Sequence, residues 1–306
     1  MDEEDSKKNL GYSLLYAVTY LHALLPLSVL YVFSDLLYIV VYYIIRYRRK
    51  LVRKNLMNSF PEKAKKKIIE IEKDFYRHLC DYYFETIKLL HISDEEIKRR
   101  MKFENPELIE RLTSSGNSCL MSLGHLGNWE WVPSIIMHVN PEVKLGFIYK
   151  ELHSKSFDKL FLKIRSRFGP KAIEKQSAYR QMIMAKRSND ILLVGFLSDQ
   201  RPPKNANQYW TKFLNQETHV QNGVERIAKH LNCSIVYLDI KKVKRGYYES
   251  KIFVLTPDAS DEPDNLIMER YIRKLEESVR REPAIYLWSH NRWKFKKPVE
   301  YYENSN

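Results

Sequence analysis

His125 and Glu130 stand five residues apart in the segment Leu123-Gly124-His125-Leu126-Gly127-Asn128-Trp129-Glu130, where an apolar run passes two glycines and enters a helical pattern. On a single helix that step places two side chains on different faces. Across a strand–loop–helix junction they converge, because glycine lets the backbone turn back tightly. An ionised carboxylate beside an imidazole holds the ring's orientation and tautomer, leaving the other nitrogen ready to take a proton. Asn128 fits the N-cap position, which puts Glu130 in the first turn, where the helix dipole favours its ionised form. An arbitrary His and Glu at this spacing are more often a surface histidine and a helix-start acid. Placement directly beyond a strand turns the reading toward a general base and its partner.

Other polar residues occupy comparable positions. Lys150 follows the apolar run 143–149, Asp199 follows 191–197, and Arg292 follows 285–288. In open α/β sheets ligands bind beyond the carboxyl ends of the strands, so these residues and His125 are expected around one crevice. Short apolar runs at Cys119–Leu123, 143–149, 191–197, 234–240 and 252–255 alternate with helical patterns at Trp129–His138, 154–168 and 177–186. A hairpin is expected around Lys244-Arg245-Gly246. This alternation predicts an α/β domain: a mixed, largely parallel sheet flanked by helices. Ahead of it, 61–91 reads as a helix with Ile68, Ile71, Phe75 and Leu79 on one face and Lys and Glu on the other. Ser93-Asp94-Glu95-Glu96 reads as a capping box opening a further short helix.

The N-terminal part differs in composition. Residues 24–45 are almost continuously apolar, interrupted by Pro26, Ser28, Ser34 and Asp35, and are followed by Arg46, Arg48, Arg49, Lys50, Arg53 and Lys54. The length suffices for a membrane helix of ~20 residues. Asp35 near its middle costs about 3 kcal/mol on insertion scales, which keeps a shallow interfacial helix open as the alternative. The run is too long for a signal peptide, and no small-residue cleavage site follows. The cation cluster suits anionic headgroups on a cytoplasmic leaflet. The division expected is a membrane anchor with a basic flank at 1–54 and a catalytic domain at 55–306. Lys and Arg outnumber Asp and Glu by 51 to 38, and this +13 surplus attracts polyanions. No nucleic-acid recognition motif accompanies it, so an anionic membrane surface or an acidic protein partner is expected instead. Three scattered cysteines, Cys80, Cys119 and Cys233, form neither a disulfide framework nor a metal site. No Gly-x-Ser-x-Gly elbow, phosphate-binding glycine loop or His-Glu-x-x-His occurs, and neither metal nor cofactor is expected.

From 24 to 298 the sequence resembles the bacterial lipid A biosynthesis acyltransferases, the lauroyl and myristoyl transferases. The resemblance rests on the apolar anchor and basic cluster, Asn55-Leu56 with Phe60-Pro61, the His125–Glu130 block, Tyr149-Lys150, Arg165 and Arg167. Ser198-Asp199-Gln200 and the closing Trp288-Ser289-His290-Asn291-Arg292-Trp293-Lys294 complete it. It implies transfer of a fatty acyl group from acyl carrier protein to a hydroxyl of a phosphorylated glycolipid at the inner membrane, with the catalytic domain on the cytoplasmic side. It further implies His125 as general base, Glu130 as its partner, and Arg165, Asp199 and Arg292 around them. Lys150 and Asn128 complete the candidate substrate-binding set. Lys150 stands where the family usually carries arginine, losing a bidentate fork, and Asn291 replaces one of two adjacent basic residues. Both departures suit a less phosphorylated acceptor. Acylation of another membrane lipid (an aminolipid, a lysophospholipid or a glycosylated phosphatidylinositol) and a non-catalytic, membrane-tethered lipid-binding protein remain the alternatives.

Overall fold

The computed structural model describes residues 3–204 and 209–298. The apolar N-terminal stretch is not one helix. Pro26, which lacks an amide hydrogen and breaks or kinks an α-helix interior, separates α1 (Glu3–Leu24) from α2 (Leu27–Ile39), and α2 runs on into a π-helical turn, Val40–Ile44. The 18 residues Leu27–Ile44 are long and apolar enough to cross a membrane. One face of them, however, lies against the protein. After α3 (Arg49–Ser59), the long α4 (Lys65–Lys88) receives it. Ser34 donates to Asp81 at 2.7 Å, the Tyr31 hydroxyl to Glu85 at 2.9 Å and the Tyr42 hydroxyl to Glu72 at 3.1 Å. Asp35, the charge that weighs against a span, pairs with Arg245 at 2.7 Å. Val32, Phe33, Leu36, Ile39, Ile44 and Ile45 face outward. Part of the basic cluster is also engaged within the fold: Arg53 grips Glu72 with two bonds, Arg49 lies over the Tyr42 ring and Arg48 donates to the Ser289 carbonyl. Arg46, Lys50 and Lys54 remain exposed.

The apolar face of α4 falls where its periodicity places it, but its acids do not all face solvent. Glu72, Asp81 and Glu85 are buried and accept donors from the N-terminal helices. Next comes α5 (Asp94–Arg100), whose N-cap Ser93 accepts the Glu96 N–H at 3.1 Å.

The domain continues as β1 (Met101–Glu104), α6 (Glu107–Thr113), β2 (Cys119–Leu123), β3 (Lys144–Tyr149), α7 (Lys155–Arg165), β4 (Lys171–Glu174), α8 (Ala178–Arg187) and β5 (Leu192–Leu197). It ends with β6 (Tyr209–Phe213), β7 (Gln216–Val220), α9 (Gly223–Leu231), β8 (Ser234–Lys244), β9 (Tyr247–Thr256) and α10 (Leu266–Arg281). Seven strands form one sheet in the order β1-β9-β8-β2-β5-β3-β4, every neighbouring pair parallel except β8 with β9. All five residues of β2 are buried, as expected of a strand covered on both faces. Cys119, Met121 and Leu123 pack on one side with Trp131, Ile135, Leu160 and Ile164, whereas Leu120 packs on the other with Tyr271 and Leu275 of α10.

Three segments depart from expectation. Trp129–His138 is a 3₁₀ rather than an α-helix and carries Pro133 inside it. The run 285–288 is not a strand: Pro283–Ile285 forms a 3₁₀ turn, and one isolated bridge joins Tyr286 to Leu126. The separate β6–β7 hairpin has no counterpart in the sequence reading. Its turn is Leu214-Asn215, both at positive φ, and lacks the Asn-Gly or Asp-Gly that usually announces such a turn.

Candidate active site

Strands β2 and β5 are parallel neighbours, and their last register pair is Leu123 with Leu197. Two residues past that pair on each strand stand His125 and Asp199. The match in register brings them together across 74 residues of sequence: His125 Nδ1 lies 2.6 Å from Asp199 Oδ1, and the His125 backbone N–H donates to Oδ2 at 3.0 Å. Asp199 is almost wholly buried. Burial pushes its carboxyl up, but the His125 ring and its N–H groups, with Arg292 nearby, outweigh this and hold it below the usual carboxylate range. An ionised Asp199 can only accept, so in the neutral ring the proton sits on Nδ1 and Nε2 carries the lone pair. The Gln200 side-chain amide, 3.1 Å from Nε2, donates to it.

The loop that carries His125 is stitched to the segment following α10. Gly127 N–H donates to the Ile285 carbonyl at 3.0 Å, and Leu287 N–H to the His125 carbonyl at 3.0 Å. Gly127 has φ +60°, and a Cβ there would meet Ile240 Cγ2 at 2.7 Å, so both backbone and space call for glycine. Asn55 Nδ2 in turn holds the carbonyls of Trp288 and His290 at 2.9 and 3.1 Å, with Phe60 edge-on to Trp288. Thus the Asn55, Phe60 and Trp288–Arg292 motifs, remote in sequence, are one structural unit beneath the His125 loop. His290 is pushed down to about 4 by burial, and its neutral ring accepts the Arg201 N–H at 3.0 Å.

Glu130 does not meet the imidazole through a hydrogen bond. Its carboxylate is gripped by Arg165 of α7 in two bonds, Nε at 2.8 Å and an Nη at 2.6 Å, with the Tyr82 hydroxyl at 3.3 Å. Burial alone would disfavour the Arg165 cation; Glu130 outweighs it and holds its pKa above the usual arginine range. Between the two groups stands Trp129, its ring 4.9 Å from that of His125 and 4.1 Å from that of Tyr82. Trp129, Glu130 and Arg165 border an apolar cleft, lined also by Met121, Leu123, Leu145, Phe147 and Leu197. One row across the sheet reads Met121–Gly195–Phe147, and the absent side chain at its centre opens the cleft floor.

The remaining candidates fall differently. Asn128 occupies the N-cap position, yet its side chain makes no cap; it is fully buried and donates to Glu85 at 2.8 Å, leaving no exposed atom for a substrate. Arg292 is buried close to Asp199, its three guanidinium nitrogens sealed from solvent without a hydrogen-bond acceptor. Lys150 stands exposed beyond β3. Of the residues expected around one crevice, the structure joins His125 to Asp199 directly and Glu130 to Arg165. Gln200 and Trp129 enter as contacts of His125 that residue type alone does not single out. Among the described residues no three His, Cys, Asp or Glu side chains cluster to hold a metal.

No curated protein matches this chain. The family model described as bacterial lipid A biosynthesis acyltransferase matches residues 4–295, which takes in both N-terminal helices, the His125 loop, the Asp199 strand end and the Trp288–Arg292 segment. The chain therefore belongs to the bacterial lipid A biosynthesis acyltransferase family.

Proposed function

We propose that this protein moves a fatty acyl group from an acyl-carrier-protein thioester to a hydroxyl of a lipid A precursor at the inner membrane, on its cytoplasmic side. The observation that carries the reading is an imidazole oriented by a buried carboxylate, His125 on Asp199, with Trp129 joining it to an apolar cleft. The cleft takes the acyl chain. The acceptor hydroxyl displaces the Gln200 amide from Nε2 and gives its proton to that nitrogen as its oxygen attacks the thioester carbonyl. Collapse of the tetrahedral intermediate breaks the C–S bond, and the leaving thiolate recovers the proton from Nε2. Each donor to the oxyanion is worth about 3–4 kcal/mol in such a reaction. Asp199 is the group that orients the ring in this scheme, and the Glu130–Arg165 pair fixes the wall between ring and cleft.

The outward apolar face of α2, with Arg46, Lys50 and Lys54 beyond its end, supports attachment along a lipid surface. The buried bond of Ser34 to Asp81 and the exposed charge of Asp35, paired with Arg245, favour lying in the interface over crossing it. A less phosphorylated acceptor is the second reading, favoured by Lys150, whose single exposed ammonium replaces a guanidinium fork. Mass spectrometry of membrane lipids from cells with and without the protein tests both. A lipid A species heavier by one acyl group is the expected result, whereas a gain confined to another lipid class moves the acceptor, and no gain in any class overturns the assignment.

Transfer is direct in this scheme. Cys80, Cys119 and Cys233 are buried, and burial pushes their thiols up to about 12, 12 and 11. Ser122, three residues before His125, has a buried hydroxyl. Incubated with labelled acyl carrier protein and no acceptor, the intact chain should show no stoichiometric mass gain. An adduct that disappears on adding acceptor would establish a two-step route.

Gly195 sets the room for the chain. A Cβ at this position meets nothing closer than 3.5 Å, so the first carbon of Gly195→Val fits, and its two methyl groups are expected to fill the cleft floor. At about 0.8 kcal/mol per buried methylene, kcat/KM for the preferred donor should fall by about 10–100-fold, while a donor two or three carbons shorter is spared. An equal fall for donors of every length would remove the cleft from the acyl path.

A further inference from the structure

A buried acid beneath the His125 loop has no part in the proton transfers above. Glu85 of α4 is 0% exposed, and each of its carboxylate oxygens is taken. Oε2 accepts Asn128 Nδ2 and the Tyr248 hydroxyl, each at 2.8 Å, and Oε1 accepts the Tyr31 hydroxyl at 2.9 Å. Its backbone carbonyl accepts Trp131 Nε1 at 3.0 Å. One residue therefore ties α2 to both ends of the segment 128–131, whose middle holds Trp129 and Glu130. Two turns earlier on α4, His78 Nε2 donates to the Gly127 carbonyl at 3.2 Å.

Tyr31 is well held at the other end. Arg245 lies over its ring at 4.4 Å, and its hydroxyl fills the space that a Cβ on Gly246 would need. It belongs to the helix whose opposite face carries Val32, Phe33 and Leu36 to the outside. Apolar side chains of the same size would fill this volume with equal or greater stability, since a buried charge carries a desolvation cost that its bonds only offset. What a carboxylate adds is direction: three donors from three elements must all point at one group.

We propose that Glu85 is a positioning residue that couples the seating of α2 on a lipid surface to the alignment of the 124–131 turn and so of His125. The proposal rests on the membrane attachment argued above. Lipid contact holds α2 against α4, which keeps Tyr31 on Oε1 and leaves Oε2 aimed at Asn128. With α2 unseated, the carboxylate turns toward whichever donors remain and the turn loosens.

Amide hydrogen exchange on the full chain, with and without vesicles of phosphatidylethanolamine and phosphatidylglycerol, tests this beside a flotation assay. In the wild type, vesicles should slow exchange about tenfold both in α2 and in 124–131. In Tyr31→Phe, which keeps the ring and removes one donor, α2 should stay protected while the effect on 124–131 falls below about twofold. Its kcat on vesicle-borne acceptor should drop several-fold with the donor KM unchanged. Glu85→Gln, if its melting temperature stays within a few degrees of wild type, should behave likewise. A wild-type chain that floats but whose turn exchanges alike with and without lipid overturns the coupling alone, as does a Tyr31→Phe chain that retains the full response. A chain that does not float overturns the membrane reading and the coupling with it.

Discussion

His125→Ala is expected to lower kcat for acyl transfer by about 10²–10⁴-fold, the range that a positioned base contributes, with little change in melting temperature. The side chain is only partly buried, and its bonds go to Asp199 and Gln200, neither of which depends on it for a place in the sheet. Asp199 keeps the His125 backbone N–H as a donor after the change. The measurement is an initial rate with acyl carrier protein as donor, beside thermal unfolding of the same preparation. More than about a tenth of wild-type activity with an intact fold would end the general-base role.

Asp199→Asn should come next in size, again about 10²–10⁴-fold in kcat. A side-chain N–H turned to Nδ1 forces the ring's proton onto Nε2, the nitrogen that has to accept. Glu130→Gln makes the contrast. His125 and Asp199 keep their bond, whereas Arg165 loses the charge it holds in two bonds, so the change should cost about 1–3 kcal/mol of stability and less activity than Asp199→Asn. Should Glu130→Gln instead abolish turnover with an unchanged melting temperature while Asp199→Asn stays active, the partner of His125 is Glu130.

These two substitutions mark where the sequence was informative and where it was not. The strand Cys119–Leu123 and the capped helix Asp94–Arg100 could be read from local pattern, because burial on both faces and an N-cap leave local signatures. That His125 ends a strand followed from the same logic. Which carboxylate it meets depended on β5 lying beside β2 in register, a tertiary fact with no trace within six residues of His125. Proximity in sequence therefore points to Glu130, and position beyond a strand sets Asp199 near the site without its role. The run 285–288 carries strand-like residues because it is buried, but its backbone is committed to the His125 loop and to Asn55, not to a neighbouring strand. Asp35 read as a cost to membrane insertion because its partner Arg245 lies 210 residues away.

The clamp of Asn55 on the carbonyls of Trp288 and His290 also orders events during synthesis. Chains emerge N-terminus first at roughly 5–20 residues per second, so on the order of ten seconds to a minute separates the two halves of that contact. Over this interval α2 has emerged and can meet lipid, whereas Asp35 still waits for Arg245, and the loop bearing His125 has neither Ile285 nor Leu287 to hold it. Reactive competence is thus conferred by the last part of the domain to be made. Under the proposed function, a nascent or prematurely terminated chain would reach a lipid surface without being able to act on a thioester.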